Sequence, residues 1–145
     1  MTIRTALNAL MAKKDPQAMR IADMAMTLFK GHLEQNAKLS RLKAIGREVC
    51  RQHEIPFTKV RSRRLRECWG LYWEDGSIEL HLNGGTSLFI FLHELAHHIV
   101  AHKHPRSADH GPRFVRVYAE LLEEYGLVPL AGMRAACRKF KVRMA

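Results

Sequence analysis

Residues 88–103 read LFIFLHELAHHIVAHK, and this stretch decides how the rest of the chain is interpreted. Its first five residues are all apolar, so a helix here would be apolar nearly all round and would lie in the centre of a domain. Thr86 or Ser87 can cap its beginning, and Pro105 stops it. The longest apolar run in the chain is Leu88–Leu92, which is too short to span a bilayer.

The same stretch contains the pattern His-Glu-x-x-His. Four residues advance a helix by about 400°, so His93 and His97 would share one face, one turn apart. Two imidazoles in this arrangement can bind one zinc ion. Glu94 would be the general base that such a helix presents to water at the metal. Burying these three side chains without a shared partner would be costly, which favours a catalytic site.

A catalytic zinc needs a third protein ligand and one open position. The candidates are the later histidines and acids: His98, His102, His104, Asp109, His110, Glu120, Glu123 and Glu124. Helix geometry turns the first two histidines away from the metal and places the third about 10 Å further along the axis than His97, beyond ligand reach. His110 follows the Pro105 break and precedes Gly111-Pro112 at a helix start, so we expect it to be the ligand. Glu120 remains the alternative, because sites with two histidines and a glutamate are also common.

The first third of the chain, residues 1–54, is predicted to be helical. Asp15 and Pro16 are typical of an N-cap and a first helical residue. Two apolar patterns at helical spacing follow, and the second ends before Pro56. They are Met19, Ala22, Met26, Phe29 and Leu33, and then Leu39, Leu42, Ile45, Val49 and Cys50.

Strand patterns begin after Pro56. Residues 57–65 alternate as a half-exposed strand would, and residues 69–73 and 78–82 flank an Asp75-Gly76 step, which is a strong hairpin signal. We therefore expect a short antiparallel β-meander before the central helix. After it, one helix is predicted from Gly111-Pro112 to near Gly126, and a short basic helix from about Leu130 to Phe140.

The predicted fold class is α+β, in the order helices, meander, helices. A length of 145 residues fits a single domain. Within it we distinguish a helical N-terminal region (residues 1–54), a metallopeptidase core (55–125) and a basic C-terminal helix (126–145). Three widely spaced cysteines fit neither a disulfide framework nor a zinc ribbon, and residues 1–14 lack the pattern of a secretory signal, so we expect a cytoplasmic protein.

The formal net charge of +10 is unevenly distributed. The segment Lys38–Arg66 has ten basic and two acidic residues, and Arg134–Arg143 has five basic and no acidic residues. Two separate basic clusters on a small protein indicate a polyanion, first of all nucleic acid. No segment pairs a basic face with a strongly apolar one, which argues against a membrane partner.

His93-Glu94-Leu95-Ala96-His97, twelve intervening residues and then His110-Gly111-Pro112-Arg113-Phe114 resemble the SprT-like family of zinc metallopeptidases, which includes the Spartan proteases. The similarity covers residues 55–125. It implies a zincin-like fold, one catalytic zinc ion held by His93, His97 and His110, and Glu94 as the catalytic base. Family members cleave proteins, including proteins crosslinked to DNA, and DNA often activates them.

The chain departs from this family in two respects: we find no C-terminal zinc ribbon and no separate DNA-binding module, and residues 1–36 carry no matching motif. The first hypothesis is therefore a zinc endopeptidase that acts on proteins on or near DNA. A second is a non-enzymatic nucleic-acid-binding protein whose structural zinc has a fourth ligand such as Asp109. A third is a component of a larger assembly that retains a peptidase fold.

Overall fold

A computed structural model describes residues 15–66, 68–82 and 86–145, and within them it shows six helices and one three-stranded sheet. The α+β class is confirmed. The helices are α1 (Pro16–Leu28), α2 (Lys30–Leu33), α3 (Leu39–Gln52), α4 (Leu88–Lys103), α5 (Pro112–Glu124) and α6 (Leu130–Phe140); the strands are β1 (Val60–Arg63), β2 (Gly70–Tyr72) and β3 (Ile78–His81). The helical prediction for residues 1–14 and the break at residues 83–85 lie outside the described residues.

The described residues form two compact units, one of residues 31–105 and one of residues 15–30 and 106–145. The predicted single domain, with boundaries after residues 54 and 125, stays a prediction. No helix in the described ranges combines the length and apolarity needed to cross a membrane.

The sheet in residues 31–105 has the strand order β1-β3-β2. The predicted hairpin is confirmed: β2 and β3 are antiparallel, with Gly70 opposite Leu80 and Tyr72 opposite Ile78. Gly76 provides the positive φ of 89° that the turn requires. Its neighbour Ser77 donates its backbone N–H to the side chain of Asp75.

The predicted antiparallel meander is wrong in one respect, because β1 pairs with β3 in parallel, with Val60 opposite Ile78. After β1 the chain therefore leaves a gap and forms the opposite edge strand, β2. The next strand, β3, then fills the gap between β1 and β2. This order places the most buried strand in the centre: Ile78, Glu79 and Leu80 are all fully buried.

The central helix α4 begins and ends where the sequence predicts. The side chain of Ser87 accepts a hydrogen bond from the backbone N–H of Ile90 at 3.1 Å and so caps its first turn. Nearly all of the helix up to Val100 is buried, in agreement with its all-round apolar pattern. It packs against α3, β2 and β3.

In the other unit, α6 packs against α1 and α5. The predicted apolar stripe of α1 is wrong, because Met19 and Met26 are 39% and 54% exposed. The buried face instead contains Gln17, Ile21 and Met24. A polar residue belongs to this face because the amide of Gln17 is hydrogen bonded to backbone groups of His110 and Arg143.

Candidate metal centre

The two histidines of the His-Glu-x-x-His pattern lie on one face of α4, as predicted. The ring centroids of His93 and His97 are 5.1 Å apart, and both side chains are half-buried. The ring of Tyr72 in β2 stacks against His97 at a centroid distance of 6.1 Å. The helix thus presents two imidazoles to one side, and the sheet supports the second of them.

Glu94 lies between these histidines in sequence and is only 7% exposed. Its carboxyl group has no hydrogen-bond or ion-pair partner in the described part of the chain, and burial raises its pKa to about 8. The backbone of β2 passes directly beside it: a Cβ added to Gly70 would lie 3.2 Å from Oε1 of Glu94. Glycine at position 70 therefore leaves the space that the carboxyl group occupies.

His110 lies directly before Gly111, the N-cap of α5. Its Nδ1–H donates to Oδ2 of Asp15 at 2.5 Å, and only 13% of the His110 side chain is exposed. The ring also contacts Phe114, one turn into α5, edge to face. With Nδ1 held by the carboxylate, the nitrogen that His110 would offer to a metal ion is Nε2.

Asp15 is a residue whose role the sequence did not reveal. The sequence predicts that it caps α1, yet its side chain makes no capping hydrogen bond and binds His110 instead. An Asp-Pro step fits the beginning of any helix, so the sequence pattern carries no signal for this second role. The second role depends on His110, which lies 95 positions later in the chain, so it becomes visible only in the folded structure.

One ring nitrogen from each of His93, His97 and His110 lies within 4.8 Å of the others, so these three half-buried side chains could hold a metal ion. Three imidazoles are a donor set that suits zinc and leaves a coordination position open. The donor set and its spacing therefore fit the group that the sequence pattern predicts.

The other candidate metal ligands either contact other residues or are exposed. His98 is buried: its Nε2 donates to the carbonyl oxygen of Pro56 at 2.8 Å, and its Nδ1 is 3.0 Å from the hydroxyl of Tyr72. His102 is exposed and packs on the ring of His98. Glu120, the alternative third ligand, is 54% exposed and paired with Arg116 at 2.5 Å. Asp109 is exposed.

The chain matches no protein-family model, no curated protein and no solved structure. The resemblance to SprT-like metallopeptidases therefore rests on the motif residues themselves, and function has to be argued from the chemistry of the site.

Proposed function

We propose that the chain is a zinc-dependent endopeptidase of the SprT-like type, with a zincin-like fold. One observation carries the proposal: the largely buried Glu94, for whose carboxyl group the described residues show no hydrogen-bond partner, lies on the same helix as His93 and His97, which share a potential metal site with His110. A buried, unpaired carboxyl group is unfavourable for stability, and such groups concentrate at functional sites.

The residues divide the chemistry between them. His93, His97 and His110 would hold the zinc ion, which supplies Lewis-acid polarisation of the scissile carbonyl group. Glu94 takes the proton from the attacking water molecule and gives it to the leaving amine. A pKa near neutrality suits a group that both accepts and donates a proton, and a nearby divalent cation would move the pKa of Glu94 down into that range.

The substrate of this reaction would be an extended peptide. In the sheet, β2 is an outer strand next to β3, and its first residue, Gly70, lies against the carboxyl group of Glu94. A peptide that added to the outer edge of β2 would lie beside the proposed base, and its backbone would be held by main-chain hydrogen bonds. This mode binds many sequences, because recognition relies on the backbone.

Nucleic acid is the proposed second partner, and the two basic clusters differ in how far they are neutralised. In Lys38–Arg66, Arg51 is paired with Glu48, and Arg61 and Arg63 are both paired with Glu79. In Arg134–Arg143, all five basic residues are exposed, and the segment has no acid of its own. We therefore propose that the C-terminal cluster, Arg134–Arg143, makes the stronger phosphate contacts. The proposed location of the protein is the cytoplasm.

The test is a cleavage assay with zinc-loaded protein, with and without single-stranded DNA, followed on gels for the protein itself and for a DNA-binding protein. We expect cleavage that DNA stimulates, and we expect Glu94→Gln to reduce it by about 10²–10⁴-fold while zinc stays bound. Glu120→Gln is the matched control, because it removes an exposed carboxylate on α5 and should leave cleavage unchanged.

Other outcomes separate the hypotheses. Cleavage that ignores DNA would keep the peptidase and remove the role near nucleic acid. Full cleavage by Glu94→Gln would contradict the mechanism. No cleavage despite bound zinc would favour the structural-zinc or assembly hypotheses, and the spectrum of cobalt-substituted protein would then show whether the site has an exchangeable water or a fourth protein ligand.

A further inference from the structure

Two polar side chains from the beginning of α1, Asp15 and Gln17, both bind His110. Oδ2 of Asp15 accepts a hydrogen bond from the ring Nδ1–H at 2.5 Å, and Nε2 of Gln17 donates to the backbone carbonyl oxygen of His110 at 2.8 Å. Both residues are buried, at 9% and 7% exposure. Polar groups are buried when they have partners, and His110 is the partner that these two share.

Gln17 is in turn fixed by the chain near residue 143. Its Nε2 also donates to the carbonyl oxygen of Arg143 at 3.3 Å, and the backbone N–H of Arg143 donates to its Oε1. The amide therefore has partners for both its oxygen and its nitrogen, which determines its orientation. The backbone of His110 is thereby connected to α1 and to the end of the described chain through one side chain.

We propose that Asp15 and Gln17 are positioning residues for the third metal ligand. Asp15 selects the tautomer of His110 that is protonated on Nδ1 and so directs Nε2 to the metal. Gln17 fixes the backbone of His110, and with it the origin of the side chain, through its hydrogen bond to the carbonyl oxygen. The inference rests on the proposed metal site, and it does not depend on whether the protein cleaves peptides.

The test measures the zinc dissociation constant of the full chain by competition with a chromogenic chelator. We expect Asp15→Asn to weaken zinc binding by about 10–100-fold, because an amide keeps the size of the side chain and removes its charge. Asp15→Glu restores the carboxylate, and we expect its affinity to be closer to the native value. Asp23→Asn is the matched control, since Asp23 is exposed on the same helix and should have no effect.

A purely structural role would give a different result. Asp15→Asn would then lower the thermal stability of the metal-free protein and leave zinc affinity and the cobalt absorption spectrum unchanged, which would overturn the proposal. If Asp15→Asn does not fold, the zinc affinities of Asp15→Glu and Gln17→Glu provide the test. The proposal would also be overturned if Gln17→Glu bound zinc with native affinity and Asp15→Glu lost as much zinc affinity as His110→Ala.

The two proposals fail separately. A native protein that binds zinc but cleaves nothing would refute the peptidase, and the effect of Asp15→Asn on affinity would still be measured. A native protein that does not bind zinc would refute both. A protein that cleaves normally and binds zinc with equal affinity in the native and Asp15→Asn forms would refute the positioning role alone.

Discussion

Two glutamates in residues 31–105 are buried in opposite surroundings. Glu79, in the central strand β3, receives hydrogen bonds from Arg61, Arg63 and the indole N–H of Trp73. The bonds from Arg63 are the first cause that holds its pKa below the usual range, and Trp73 and Arg61 add to the effect. Glu94, in α4, has none of these partners, and burial alone raises its pKa to about 8.

The comparison shows how the donors around a buried carboxyl group determine its protonation. Glu79 is stabilised as an anion by donors from β1 and from Trp73, directly after β2, so it links the two outer strands and has little tendency to take a proton. Because burial raises the pKa of Glu94 to about 8, its carboxyl group can be protonated or ionised near neutral pH. Burial is common to both residues, and the donors around them make the difference.

The largest expected effect is on the pH dependence of stability. Between pH 4.5 and about 8, folded metal-free protein binds more protons than unfolded protein because of Glu94, so its free energy of unfolding should fall as pH rises and then level off. The full effect is about 4–5 kcal/mol at most. In urea titrations with a chelator at pH 5, 7 and 9, Glu94→Gln should lose this decline; parallel pH profiles for the two proteins would contradict the assignment.

A smaller effect is expected at the other carboxyl group. Glu79→Gln removes the charge that three donors share, and it should lower the free energy of unfolding by about 1–3 kcal/mol near pH 7. Peptide cleavage by the zinc-loaded variant should remain near the native rate. Glu74→Gln, at an exposed position of the adjacent hairpin, is the control for stability. A stable variant with lost activity would reverse the roles assigned to the two glutamates.

The smallest effect concerns the space beside Glu94. A Cβ at position 70 would lie 3.0 Å from Cγ2 of Ile90 and 3.2 Å from Oε1 of Glu94, so Gly70→Ala should displace the carboxyl group by a few tenths of an ångström. We expect kcat/KM to fall roughly tenfold with zinc affinity unchanged. In Gly132→Ala the nearest atom is 3.7 Å away, so this control should keep its activity. Equal activity of the two variants would show that the position of Glu94 is not critical.

The sequence correctly predicts those helix ends and turns whose signals lie within a few residues. The bounds of α4 and α6 agree with their predictions. For α4 the reason is that the Ser87 cap and the stop at Pro105 are signals within a few residues of its ends. The β2–β3 hairpin follows from the Asp75-Gly76 step in the same way. His93 and His97 could be placed on one face because helix geometry alone sets their spacing.

Features that depend on distant partners could not be predicted. The parallel pairing of β1 with β3 depends on which strand occupies the centre of the sheet, and alternation within β1 does not contain that information. The buried face of α1 includes Gln17 because its partners lie at His110 and Arg143. The contact of Asp15 with His110 was missed for the same reason, although it bears most directly on the site.

The contacts of α1 also set the order in which the supports of His110 are assembled. Asp15 meets a residue 95 positions later, and Gln17 meets one 126 positions later. During synthesis the chain emerges from its N-terminus, so the contact of Asp15 waits for residue 110 and that of Gln17 waits for residue 143. Closure of such long loops comes late in folding, after local helices have formed. A nascent chain would therefore carry the His-Glu-x-x-His helix before His110 and its supports from α1 are in place.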